Sequence, residues 1–237
     1  MKNPSLFCLL KYWWLKLNEF MIDVVIVEIK TELTKNTLDV FLPLVSTEKQ
    51  NRIKQFCFFR DARNCLLGDI LVRNEICRIT GLRNEQIVFS TSEYGKPFLV
   101  NDYDIHFNIS HAGDYIACAI SNEPVGIDVE VIRVPDFRIA QRFYSPDEME
   151  YVMEDKCKYR FYEIWTKKES RIKWEGKGLY KSLASFSVLC KEQKEISYNE
   201  VLQNNDIACH ICSTKQKLPS IKLMEFGNFM QKALQHL

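Results

Sequence analysis

The stretch from 60 to 132 does most to limit what this chain can fold into. Between Arg60 and Thr80 the residues Leu66, Leu67, Ile70, Leu71 and Ile76 recur, and Gly81 follows. A rhythm of about 3.6 residues predicts one long helix with a core-facing stripe, closed by a glycine. Short apolar runs come next, at 86–90, 98–100, 106–109, 115–121 and 125–132, separated by Gly, Pro, Asn and Asp. Runs that brief, punctuated by turn formers, read as strands. A long helix beside several short strands places the chain in the α+β class.

The second half repeats the theme. Ser145 followed by Pro146 marks a helix start, and a further helix over 161–174 ends at Gly176. Ser46 precedes a helix beginning at Thr47 in the same way. Each serine leads into a helix, a charged connection and a longer helix at matching offsets, which predicts a duplicated α+β unit of roughly 100 residues. The expected division is an extension over 1–20, a first half over 21–121 and a second half over 122–237. In the extension, apolar stretches at 6–10 and 12–17 are broken by Lys11 and Lys16, too short for a membrane span and lacking a signal-peptide pattern. No low-complexity linker separates the halves, so they are expected to pack closely with a site at their junction.

Charge narrows the partners. Lys and Arg number 32 against 31 acidic residues, a net charge of +1, so no global field favours nucleic acid or an anionic membrane. The nine cysteines are an odd, scattered set, as expected of reduced thiols in the cytoplasm. Only Cys209-His210-Ile211-Cys212 has a loose metal spacing, and with no second cluster it reads as a strand with incidental thiols.

Three constellations could carry chemistry. In 125–130 strand alternation throws Asp128 and Glu130 to one face and Ile127 and Val129 to the other. Paired carboxylates suit a hard cation such as magnesium, and equally a solvent-facing edge. On the following helix, Glu169 and Lys173 have the spacing of a surface ion pair, yet Phe161, Trp165 and Ile172 argue that this helix is partly buried and its charges need partners. Third, Asn108-Ile109-Ser110-His111-Ala112-Gly113 offers a hydroxyl, an imidazole and a turn to an anion, although neighbouring strand residues point to opposite faces. Lys49 and Arg52, three apart on one helix, could clamp a phosphate or simply face solvent.

Read in order, Glu93-Tyr94-Gly95-Lys96-Pro97-Phe98, His106-Phe107-Asn108-Ile109-Ser110-His111, Gly126-Ile127-Asp128-Val129-Glu130 and Trp165-Thr166-Lys167-Lys168-Glu169-Ser170 with Lys173 and Glu175-Gly176-Lys177-Gly178 resemble the 4′-phosphopantetheinyl transferase family. The likeness is to its long, single-chain branch, of the surfactin-synthetase-activating type. It implies a monomer of two pseudo-twofold-related α+β halves, each a small antiparallel sheet packed with helices. Coenzyme A would lie between them, and its phosphopantetheine would pass to a serine of an acyl or peptidyl carrier protein, releasing 3′,5′-ADP.

The resemblance further implies magnesium on Asp128, Glu130 and Glu169, with Glu169 also, directly or through water, the base for the serine. Lys173 would contact the pyrophosphate with Lys168 nearby. Tyr94, Gly95, Lys96 and Pro97 would line the adenine pocket, and Lys49, Arg52, Ser110 and His111 would surround the 3′-phosphate. The chain departs from the pattern at Asn64 and Cys65, where the family has Arg and Thr. Two competing readings remain: a metal-dependent nuclease, disfavoured by the absent basic excess, and a non-catalytic carrier-binding protein, which would leave the three acids idle.

Overall fold

Strand β1 (Ile22–Glu28) buries Val24, Val25, Ile26 and Val27 alike, so it must be covered on both faces. The computed structural model describes residues 22–100, 103–154, 157–178, 182–190, 195–214 and 218–237, and the expected extension over 1–20 lies outside them. After β1 come a short helix α1 (Lys35–Asp39) and α2 (Thr47–Lys54). The latter is capped by Ser46, whose Oγ accepts from the Lys49 amide at 3.2 Å. Helix α3 (Phe59–Thr80) ends on Gly81 at φ 73°, a left-handed cap that costs glycine nothing. The strand expected over 86–90 starts only at Phe89. Asn84 bonds Leu44 and Arg73 and draws residues 84–86 into a 3-10 turn.

Strands β2 (Phe89–Thr91) and β3 (Pro97–Leu99) form a hairpin, followed by β4 (His106–Ala112), β5 (Tyr115–Ser121) and β6 (Val125–Val131). Then come α4 (Phe137–Phe143), α5 (Pro146–Met153) and α6 (Lys158–Glu175), which closes on Gly176 at φ 68°. The chain continues through β7 (Ile196–Gln203), β8 (Ile207–Thr214), β9 (Ser220–Glu225) and α7 (Phe226–His236).

Two sheets organise these elements. The first has the order β4-β5-β1-β9, the second β6-β8-β7. On one face of the first sheet, Val25, Val27 and Cys118 pack with Leu67, Ile70 and Leu71 of α3 and Phe229 of α7. On its other face, Val24, Ile26, Ala117 and Ala119 meet Ile127, Val129, Cys209 and Ile211 of the second sheet. The remaining face of the second sheet is covered by α6.

The end of the expected second half over 122–237 joins the first sheet. Strand β9 pairs parallel with β1, Asp23 opposite Ser220 through Glu28 opposite Glu225, and α7 packs on the first core. The end of the chain is built into the first half because β1 has an open edge there and a helix face left to cover.

Candidate active site at the junction of the two sheets

The unpaired edges of β4 and β6 face each other, and side chains join them where a backbone ladder is missing. Asn108 Oδ1 accepts from the Ile127 amide at 2.9 Å, and Ser110 Oγ from the Val129 amide at 3.3 Å. Between those amides sits Asp128, only 4% exposed. On the opposite side, α6 approaches β6 so closely that a Cβ on Gly126 would lie 2.0 Å from the Ser170 carbonyl oxygen. A glycine is therefore required at 126, and the approach brings Glu169 and Lys173 to the acidic face of the strand.

Lys173 Nζ donates to Asp128 Oδ1 at 2.6 Å and to Ser110 Oγ at 2.9 Å, while the Ser110 hydroxyl is 2.9 Å from the same carboxylate oxygen. Asp128 Oδ2 is buried with no hydrogen-bond partner among the described residues. Leaving such an oxygen dry costs about 1–3 kcal/mol or more. Burial raises the Asp128 pKa in spite of Lys173. Glu130, hydrogen-bonded to Trp165, is pushed up to about 7 by burial and by Asp128. Glu169 is raised by the same two causes. Burial and the nearby Lys173 charge hold His111 below the ordinary imidazole value.

Among the described residues, no three histidine, cysteine or carboxylate side chains already close around one point. Asp128 is instead turned toward Lys173. The donor set still fits a hard divalent cation: it is all oxygen, it repels itself, and one buried oxygen is without a partner among the described residues. Asp128, Glu130 and Glu169 would hold the ion. Cys209 and Cys212 offer no alternative, since both are buried and strand alternation puts them on opposite faces of β8. His210 between them is spent on Thr166 Oγ1, 2.8 Å away.

Lys168 is not at this site. Its ammonium is fully buried, paired with Glu148 at 2.7 Å and donating to the Leu183 and Phe186 carbonyls at 2.7 and 2.6 Å. It faces the core side of α6, away from Lys173 and the acids. The Ser110 hydroxyl is engaged by the acid cluster, bound to Asp128 and Lys173.

Of the other expected binding residues, Lys49, Arg52, Tyr94, Gly95, Lys96 and Pro97 lie around the β2–β3 hairpin, whereas His111, on β4, lines neither cavity there. A cavity of about 690 Å³ is lined by Lys49, Arg52, Gly95 and Pro97 over an apolar floor that includes Val72 and Phe89. Lys49 Nζ stands 3.2 Å from Asp69, which also holds Arg73. Across the hairpin, Tyr94, Lys96 and Trp174 line a second cavity of about 450 Å³. The Lys96 ammonium is turned inward onto carbonyls of α6 and β6, and burial lowers its pKa to about 8.

The departure at 64 and 65 also has a structural account. Arg63 and Asn64 both donate to the Gly113 carbonyl, at 2.9 and 3.2 Å, and clasp the turn that follows His111. Cys65 packs against the first core instead. Sequence reasoning missed Glu148, Asn108 and Trp165 as partners of these groups. Of the three, only Glu148 carried a local signal, as the third residue of a capping box after Ser145.

These features, acids on a strand edge opposed by a Glu and a Lys on a helix, define a class that comparison with known proteins identifies. Residues 32–123 match the family model described as 4′-phosphopantetheinyl transferase, N-terminal, and residues 124–226 match that of the 4′-phosphopantetheinyl transferase superfamily. The chain belongs to the 4′-phosphopantetheinyl transferase family. It is 38% identical over 185 residues to the 4′-phosphopantetheinyl transferase gsp of Aneurinibacillus migulanus, covering 76% of each chain. It is 39% identical over 182 residues to the 4′-phosphopantetheinyl transferase Sfp of Bacillus subtilis (strain 168), covering 76% of this chain and 80% of that one.

Proposed function

We propose that this protein transfers the 4′-phosphopantetheine group of coenzyme A to a serine hydroxyl of an acyl or peptidyl carrier protein, releasing 3′,5′-ADP. The observation that carries the reading is that Asp128, Glu130, Glu169 and Lys173 lie within electrostatic reach of one another while one Asp128 oxygen is buried without a hydrogen-bond partner among the described residues.

Each group has work to do in that reaction. Asp128, Glu130 and Glu169 would hold magnesium, which when bound would supply neutralisation of charge on the pyrophosphate oxygens. Lys173, 26% exposed at its side chain, turns from Asp128 to a phosphoryl oxygen and offsets the charge that moves to the leaving group. Glu169, its pKa raised by burial and by Asp128, takes the serine proton as the hydroxyl oxygen bonds to the β-phosphorus and the bridging P–O bond breaks. The cavity beside the hairpin receives the adenosine end, with Lys49 and Arg52 facing the 3′-phosphate and Gly95 and Pro97 against the base.

We also infer that the two halves descend from one α+β plan, supported by serine-started helices leading into long helices that both end on left-handed glycines. A cytoplasmic monomer is the setting we propose. The eight described cysteines are all free, both sides of the site come from one chain, and no described helix is long and apolar enough to cross a membrane. Mass spectrometry of an apo carrier protein incubated with coenzyme A and magnesium tests the activity. A phosphopantetheine adduct on the carrier serine is expected, and an unmodified carrier across acyl and peptidyl types would overturn the reading.

A further inference from the structure

Lys96 stands at the point where three parts of the molecule meet. The hairpin turn that carries it is closed by Ser92 N to Lys96 O at 2.8 Å and Lys96 N to Ser92 Oγ at 3.1 Å. From there its ammonium donates to the Lys173 carbonyl at 2.6 Å, to Val125 at 3.2 Å and to Trp174 at 3.4 Å. The carbonyls of Lys173 and Trp174 belong to the last turn of α6, where acceptors lack partners within the helix and the helix dipole presents negative charge. Val125 opens β6, the strand that carries Asp128.

We propose that Lys96 is a positioning residue: from the hairpin it fixes the end of α6 against the start of β6, and so sets the reach of Lys173 to the Asp128 cluster. Two close approaches leave the junction no slack. A Cβ on Gly126 would lie 2.4 Å from the Trp174 amide nitrogen, and one on Gly176 would lie 3.0 Å from Lys96 Cδ. Strand and helix end therefore pack backbone to backbone with the lysine stem against Gly176, and losing the ammonium leaves carbonyls unsatisfied at the residue whose side chain meets Asp128. The hairpin also walls both cavities through Pro97. A substrate seated against it and the reacting cluster share one lysine.

The proposal rests on the transferase reading for its kinetic arm and on geometry alone for its other arm. Steady-state rates with coenzyme A, magnesium and an apo peptidyl carrier protein are to be compared for wild type, Lys96→Met, Lys173→Ala and the double variant. Lys96→Met should lower kcat about tenfold while the KM for coenzyme A moves less than about threefold. In the Lys173→Ala background it should cost no more than about twofold, because its effect runs through Lys173. Multiplying losses, or a loss confined to KM, would overturn it. Amide hydrogen exchange is the second arm: residues 172–176 should exchange at least about tenfold faster in Lys96→Met while α3 is unchanged, and unchanged exchange there also sinks the idea. If Lys96→Met does not fold, Lys96→Gln, which keeps a shorter neutral donor, takes its place in both arms. Wild type that modifies no carrier would refute the transferase reading and leave the exchange arm to decide the role of Lys96.

Discussion

Helix α6 carries two lysines that each meet a buried carboxylate, and the two pairs are built to opposite ends. Lys168 and Glu148 are both 0% exposed, and their remaining capacity is used: Glu148 accepts from the Ser145 and Val188 amides, Lys168 donates to two carbonyls. Lys173 and Asp128 are as close, at 2.6 Å, yet one Asp128 oxygen has no partner among the described residues and two more carboxylates stand nearby. A fully satisfied ion pair fixes structure, here tying α5 and the loop over 183–188 to α6. An under-satisfied one keeps binding capacity in hand for something not yet present.

The contrast breaks first at the acids. Asp128→Ala and Glu169→Ala should each lower kcat by about a thousandfold or more, roughly 4 kcal/mol of barrier, because each removes a donor from the oxygen set. Thermal melting should stay near wild type. A variant keeping more than about a tenth of the activity would contradict the site.

Lys168→Ala should do the reverse. It strands the Glu148 charge in the core, so urea unfolding should show a loss of about 3 kcal/mol, while rates per folded molecule change little. If Lys168→Ala instead melts normally and loses turnover, the two lysines have been assigned the wrong way round.

Proton binding sharpens the same contrast. Glu130 moves from its ordinary 4.5 up to about 7 in the fold, so between those values the folded protein holds a proton that the unfolded chain has released. Its contribution is present at low pH and lost as pH rises through about 7. Metal-free protein should therefore lose melting temperature across that window, and Glu130→Gln should flatten the slope. Magnesium, competing with the protons, should raise the melting temperature more at pH 8 than at pH 6. An equal rise at both would count against the three-acid site.

The smallest effect belongs to the first half. Lys49→Ala or Arg52→Ala should raise the KM for coenzyme A about tenfold, and that for dephospho-coenzyme A far less, since one charged hydrogen bond is lost. Equal weakening of both substrates would move the 3′-phosphate elsewhere.

How much of this was legible in the sequence depended on distance along the chain. Asp128 and Glu130 could be put on one strand face because alternation is a local rule, and α3 and α6 could be ended because Gly81 and Gly176 are local signals. The roles of Lys168 and Lys173 could not be separated that way. Which lysine faces the core depends on Glu148, twenty positions upstream on another helix, and on carbonyls of a loop beyond Gly176. The tie between Ser110 and Asp128 was hidden for the same reason: the partner of Ser110 lies on β6, and nothing in its own segment points there.

The strand β9 carries a consequence for how this molecule is made. During synthesis β1 emerges early and finds its antiparallel neighbour β5 within the first half, but its other edge is sealed only by Ser220–Glu225. Until the ribosome has released that segment, the nascent first sheet presents a raw edge of free amides and carbonyls flanked by Val24 and Ile26, the kind of surface on which chains aggregate. Contacts that join opposite ends of a chain also slow its folding. Expression yield, more than the melting temperature of purified protein, is where damage to that strand would register first.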